Sequence, residues 1–184
     1  MTHKLLIAIT GASGSIYAKH LFLRLTALAA PPELGVIISD NGRAVWEYEL
    51  KEKVAINTAH TEYSNNDMFA APASGSAGFD SMIIIPCSMG TLGRISSGVA
   101  DNLIARAADV MLKERRKLIL AIRETPYNLI HLKNMQTITE AGGIIMPASP
   151  WFYNHPKTIE DIADELANRL LVMADIDTLM KQWG

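Results

Sequence analysis

One cysteine in 184 residues, Cys87, leaves the chain without an internal disulfide. An excess of one charge is missing too: 17 Lys and Arg stand against 19 Asp and Glu, a net charge of −2. That balance offers no general field to nucleic acid or to an anionic membrane surface, so any anion site has to be local. No apolar run approaches the roughly 18 residues that a membrane helix needs. The first such run, residues 5–9, passes straight into Gly11-Ala12-Ser13-Gly14 and is too short for a secretory signal. The five histidines, His3, His20, His60, His131 and His155, show no metal-ligand spacing and have no cysteine pair to help them. These absences describe a reduced, cytoplasmic protein with no metal, no membrane and no nucleic-acid partner.

What is present is a repeated alternation. With 49% hydrophobic and 20% charged residues, the chain suits one well-cored domain spanning 1–184. Continuous Ile, Val and Leu runs at 5–9, 34–38, 81–85, 118–122 and 143–146 predict strands buried on both faces. Helical periodicity over 16–28, about 101–114, 128–141 and 159–173 alternates with them. The expected architecture is a three-layer α/β/α sandwich around a parallel sheet. Residues 51–80 lose periodicity and read as a surface excursion.

Three strand ends carry the polar, small residues of a ligand crevice, where open α/β sheets bind. They are Gly11-Ala12-Ser13-Gly14-Ser15, Pro86-Cys87-Ser88-Met89-Gly90-Thr91 and Arg123-Glu124-Thr125-Pro126. The first, opening a helix, offers backbone N–H groups to a phosphate or oxyanion. It is neither the dinucleotide fingerprint, since Ser13 stands at the second glycine, nor a Walker loop, since no lysine follows. Asp40 either contacts a ribose or, with Ser39, simply closes the second strand. Cys87 reads as a small buried residue rather than a nucleophile, because no base stands beside it. His131 reads as a packing or capping residue.

The 101–114 helix is nearly apolar all round. Asn102, Arg106, Asp109 and Lys113, spaced 4, 3 and 4, form its one polar stripe. Burying such a helix is expected to need a second subunit, hence a homo-oligomer with sites near subunit contacts. Arg115, Arg116 and Lys117 suit a solvated helix end, whereas Lys113 aligns with Arg106 and calls for an anion. Arg169 flanks the apolar stripe of the last helix, which Thr158 and Asp161 open as a capping pair.

In order and spacing, Gly-Ala-Ser-Gly, Pro-Cys-Ser-Met-Gly-Thr, Leu-Lys-Glu-Arg-Arg, Arg-Glu-Thr-Pro with Leu-Ile-His-Leu-x-Asn-Met, and Pro-x-Phe-Tyr resemble the UbiX/Pad1 flavin prenyltransferases over nearly the whole chain. The resemblance implies a flavodoxin-like Rossmann fold and FMN as bound flavin. It implies transfer of a dimethylallyl group from dimethylallyl phosphate to N5 and C6 of reduced FMN, the product serving a UbiD-type decarboxylase. By motif, FMN contacts fall on Gly11, Ala12, Ser13, Ser39, Ser88, Met89, Gly90, Thr91 and Arg123. Prenyl-phosphate contacts fall on Tyr153 and Arg169, supported by Arg106, Lys113 and Arg123. Glu124, Glu49, Lys113 and Ser13 are the residues the resemblance assigns to catalysis. Trp151 stands in Pro-x-Phe-Tyr where the family commonly has glycine, and either lines the prenyl pocket or covers a subunit contact; Trp151, Tyr153 and Trp183 are candidate aromatic walls.

Two enzyme alternatives share parts of this picture. The FMN-dependent cysteine decarboxylases carry a Pro-x-Met-Asn-x-x-Met signature that is missing here, and an aromatic-acid decarboxylase in its own right needs metal ligands and a larger chain. A non-catalytic flavin carrier is the third.

Overall fold

In a computed structural model, which describes residues 2–178, the five apolar runs become five of six parallel strands. They are β1 (Lys4–Ile9), β2 (Glu33–Ile38), β4 (Ser81–Cys87), β5 (Lys117–Ile122) and β6 (Ile144–Ile145), with β3 (Thr61–Ser64) added at one edge. The order is β3-β2-β1-β4-β5-β6. Without the edge strand β3 this is the doubly wound, flavodoxin-like order. The helices are α1 (Ser15–Thr26), α2 (Asp40–Leu50), α3 (Met89–Ser96), α4 (Leu103–Lys113), α5 (Leu129–Glu140) and α6 (Ile159–Met173).

Strand pleating sends alternate residues to opposite faces and so makes two cores. Leu5, Ile7 and Ile9 of β1, Ile83 and Ile85 of β4 and Ile119 of β5 pack with Leu21 of α1, Trp46 of α2 and Leu166 and Leu170 of α6. Leu6, Ala8, Met82, Ile84, Leu118 and Leu120 pack on the other face with Leu92 of α3, Ile104 and Met111 of α4 and Ile138 of α5. Fully burying each such side chain contributes about 1.5–3 kcal/mol. The apolar strands therefore need both helical layers.

Three features differ from the sequence expectation. Residues 61–64, inside the predicted surface excursion, pair with β2 from Gly35↔Thr61 to Ile38↔Ser64. This edge strand is short and polar, and Glu62 pairs with Arg43 at 2.7 Å. Met89, Gly90 and Thr91 form the first turn of α3, capped by the Ser88 hydroxyl, which accepts from the Thr91 amide at 3.3 Å.

The third difference concerns α4. Leu103, Ala107 and Ala108 are fully buried within the single chain, so no second subunit is needed to cover this helix. The covering element is the Ala- and Ser-rich strap 65–80. Asn65 accepts from the amides of Leu103 and Ile104, and the strap's own Pro72 is buried. Arg106 donates to the Ala73 carbonyl at 3.1 Å and pairs with Asp109 at 2.6 Å. Arg116 donates to the Gly75 carbonyl at 3.0 Å. Arg106 of the polar stripe and Arg116 beyond it thus bind the strap's backbone, and small residues let the strap lie close.

Asn102 caps α4, and the Asn128–His131 and Thr158–Asp161 pairs form capping boxes on α5 and α6. His131 accordingly serves a helix end.

Gly42 lies against the end of β1: a Cβ there would stand 2.6 Å from the Ile9 carbonyl oxygen, a backbone atom that cannot swing aside. Gly42→Ala is expected to destabilise the fold by about 1–3 kcal/mol, read as a lowered denaturation midpoint with an unchanged m-value.

Candidate functional site

Strand order reverses between β1 and β4, so the loops leaving them diverge and open a crevice at the C-terminal edge of the sheet. Thr10, only 2% exposed, bridges the two strands at that point. Its hydroxyl donates to the Pro86 carbonyl at 2.7 Å and accepts from the Ser88 amide at 2.9 Å. The same carbonyl also receives the Thr10 amide at 3.3 Å. Sequence reasoning passed over Thr10, although a single hydroxyl residue closing an apolar run is a visible signal.

Three helix N-termini open onto this edge, those of α1, α2 and α3. Ser39 caps α2 by accepting from Gly42 at 3.0 Å, and Ser88 caps α3. The Ser88 and Thr91 hydroxyls lie 3.1 Å apart. A Cβ on Gly11 would stand 2.5 Å from Cβ of Asn41, which shows how closely α2 leans on the first loop.

At α1 the anion is built in. The Glu49 carboxylate, from the last turn of α2, accepts from the Gly14 amide at 3.0 Å and from the Ser15 amide at 2.8 Å. Gly14 holds φ 115°, a left-handed conformation suited to glycine, and has no side chain of its own to cap the helix. Burial pushes the Glu49 pKa up, but bonds from the Ser13 hydroxyl and the two amides outweigh it and leave the carboxyl below its ordinary value. The predicted phosphate cradle at Gly11–Gly14 is corrected on this point. Its helix-end amides are already spent on Glu49, and a second anion there would meet a carboxylate.

Arg123 reaches across from the end of β5, donating from Nε to the Ser13 carbonyl at 3.1 Å, while its amide bonds the Cys87 carbonyl at 3.3 Å. Glu124, half-buried beside it, accepts from its neighbour Thr125 at 2.9 Å. Cys87 is wholly buried, and desolvation drives its thiol pKa far up, which leaves it a packing residue.

The predicted phosphate ligands lie elsewhere in the chain. Tyr153 and Arg169 line an open groove of about 1150 Å³ between α6, Arg24 of α1 and residues 151–157. None of the crevice residues borders it. Arg106 is engaged with the strap and Asp109. Lys113 pairs with Glu114 at the end of α4 that leads into the start of β5. The crevice lies at the far end of β5, about 17–20 Å away at 3.3 Å per residue. Within one chain the predicted site is therefore three separate surfaces. Trp151 borders the α6 groove with Tyr153, whereas Trp183 lies outside the described residues. Among the described residues no group of three or more His, Cys, Asp or Glu is arranged to hold a metal, and no helix is long and apolar enough to cross a membrane.

The chain is similar to known proteins in sequence and in fold. The Flavoprotein family model matches residues 1–171. The flavin prenyltransferase UbiX of Methanocaldococcus jannaschii is 45% identical over 98% of this chain and 98% of its own. The chain belongs to the UbiX flavin prenyltransferase family. A probable UbiX-like flavin prenyltransferase of Bacillus subtilis is 45% identical over 91% of this chain and 82% of its own. Among solved structures, AnUbiX in complex with FMN and dimethylallyl pyrophosphate superposes with TM-score 0.89 at 38% identity, covering 100% of both chains. A dodecameric, FMN-dependent UbiX-like decarboxylase from Escherichia coli O157:H7 superposes with TM-score 0.91 at 37% identity, covering 98% of this chain and 99% of its own. A phosphopantothenoylcysteine-type (PPC) decarboxylase, 18% identical with TM-score 0.66, shares the fold alone.

Crevice residues fit a flavin in this UbiX-family chain. Gly11 and Gly90 are exposed at the crevice, and the Ser39- and Ser88-capped helix ends present positive dipoles suited to a phosphate.

Because the folded pKa of Glu49 lies below its ordinary value, its stabilisation is present above that value and is lost as pH falls through the folded one. Glu49→Gln is expected to lose about 1 kcal/mol at neutral pH, the usual value of a helix cap. Melting curves from pH 7 to about pH 3 should show this gap closing as the wild-type carboxylate protonates. A gap independent of pH would contradict the assignment.

Proposed function

We propose that the chain transfers the dimethylallyl group of dimethylallyl phosphate to N5 and C6 of reduced FMN, releasing inorganic phosphate. The observation that carries this reading is the switch-point crevice with its hydroxyl-capped helix ends, Arg123 and Glu124, in a chain 38% identical to a structure solved with FMN and dimethylallyl pyrophosphate.

Gly11, Ala12, Ser13, Ser39, Ser88, Met89, Gly90, Thr91 and Arg123 hold the flavin. It supplies the electron-rich nitrogen and carbon that accept the prenyl unit. Tyr153, Arg169, Arg106 and Lys113 hold the phosphate. When the allylic C–O bond breaks, the electron pair leaves with the phosphate, and fixed Arg, Lys and Tyr donors stabilise the charge that develops there. Closure at C6 would consume the prenyl double bond, one carbon of which takes up a proton as the other bonds the ring, and C6 would then lose its own proton; Glu124 or the departing phosphate would supply and receive these protons. Glu49 tethers the first loop through Ser13, Gly14 and Ser15, which keeps the flavin-facing backbone in one conformation.

Since the three surfaces do not meet in one chain, the site is completed by other copies of it. Such an assembly accords with the dodecameric relative. It also explains the exposed apolar residues Leu129, Ile130 and Leu132 on α5, which are 65%, 68% and 49% accessible in the isolated chain. The prenylated flavin leaves to serve a UbiD-type decarboxylase, and the enzyme works in the cytoplasm.

Anaerobic incubation of the protein with reduced FMN and dimethylallyl phosphate, followed by mass spectrometry of the extracted flavin, is expected to show a flavin heavier by one C5 unit. Unchanged FMN in a protein that binds it would overturn the reading in favour of a flavin carrier.

A further inference from the structure

Lys113, assigned to the prenyl phosphate, is the last residue of α4, and its long, flexible stem has many rotamers open to it. An ammonium serves a departing phosphate only from the right place, and a displacement of about 1 Å costs heavily. The corner that carries Lys113 restricts it. Its Nζ pairs with the carboxylate of Glu114, the residue that caps the helix. That side chain in turn leans on the strap that covers α4. A Cβ on Gly75 would stand 2.7 Å from Cδ of Glu114 and 3.1 Å from its Cγ, so the bare glycine is what leaves room for it.

Two further contacts close the corner. Arg116 donates to the Gly75 carbonyl at 3.0 Å, and its charge also acts on Glu114. Glu114 therefore answers to two cations, and its carboxyl is held below its ordinary pKa, first by the bond from Lys113 and then by the neighbouring positive charges. Gly75 is itself held in a short turn, where the Ser74 hydroxyl accepts from the Ser76 amide at 3.4 Å. All these contacts lie within one chain, so the arrangement precedes association with other copies. An ammonium has three N–H donors, which lets Lys113 keep Glu114 and still donate to a phosphate.

We propose that Glu114 is a positioning residue for Lys113: seated against the bare Cα of Gly75, its carboxylate fixes the direction in which the ammonium leaves α4. This inference rests on the assignment of Lys113 to the phosphate. Glu114 does not touch the reacting atoms, and its effect passes through Lys113. Ion pairs of this kind contribute little to stability, so the pair matters for geometry rather than for folding.

The test measures binding of dimethylallyl phosphate and of inorganic phosphate by calorimetry on protein loaded with oxidised FMN, together with kcat and KM for prenyl transfer to reduced FMN. Glu114→Ala is expected to lower kcat/KM about tenfold or more and to weaken both ligands, with FMN affinity and the denaturation midpoint unchanged. Glu114→Gln keeps the seat and an acceptor oxygen, and is expected to stay within about threefold of wild type. Gly75→Ala takes nothing from either side chain but displaces the carboxylate, and is expected to match Glu114→Ala. In a Lys113→Ala background neither change should add to the loss, since residues acting as one unit are not additive. Wild-type kinetics in Glu114→Ala, a Gln variant as impaired as the Ala variant, or additive losses with Lys113→Ala would each overturn the proposal. If Gly75→Ala fails to fold, the cycle of Glu114→Ala with Lys113→Ala decides the question. Full activity in Lys113→Ala would instead overturn the assignment of Lys113 and the inference with it. Absence of prenyl transfer by the wild type would overturn the assigned activity, while the binding data would still judge Glu114.

Discussion

Thr10 ties the ends of β1 and β4 together where the site lies, through its hydroxyl and its amide. Parallel strands whose order reverses leave their following loops without a common neighbour, and the gap between them is the crevice. By donating to Pro86 and accepting from the Ser88 amide, Thr10 sets the separation of the β1 and β4 ends. From there the first loop, the α3 cap and Arg123 take their places. Arg123 closes the arrangement by returning to the Ser13 carbonyl from a third strand. Thr10 is only 2% exposed, so its hydroxyl bonds compete little with water.

Electrostatics divides the work among the surfaces. The helix ends and Arg123 supply positive potential at the crevice proposed to take the flavin phosphate, and the Glu49 carboxylate balances the α1 end. The cations assigned to the prenyl phosphate stand away from the crevice in the isolated chain. On the proposed assignment, a single chain offers a flavin cradle without a complete phosphate site, and the proposed assembly couples the two.

Much of this was legible in the residues. Uninterrupted Ile, Leu and Val runs marked the central strands because burial on both faces leaves no alternation to confuse with anything else. The small and polar residues at 11–15, 86–91 and 123–126 marked the crevice. What was not legible depended on contacts distant in sequence. Thr61-Glu62-Tyr63-Ser64 carries one half-buried side chain and reads as loop, yet a neighbouring strand suffices to extend the sheet through it. The apolar character of α4 announced burial without naming what buries it, and an Ala- and Ser-rich strap took the place expected for a second subunit. Glu49 capping α1 joins residues 34 and 35 positions apart, a pairing no local pattern encodes.

The central claim, that crevice and phosphate ligands come from different copies, is tested by mixing two inactive variants, Lys113→Ala and Arg123→Ala, through co-expression. Mixed assemblies are predicted to regain prenyl transfer in about a quarter of their sites, since random assembly reunites an intact crevice with an intact Lys113 in that proportion. Pairing Arg123→Ala with Glu124→Gln, both on one crevice, should regain none. Activity in the first mixture no higher than in its parents would contradict a site shared between chains.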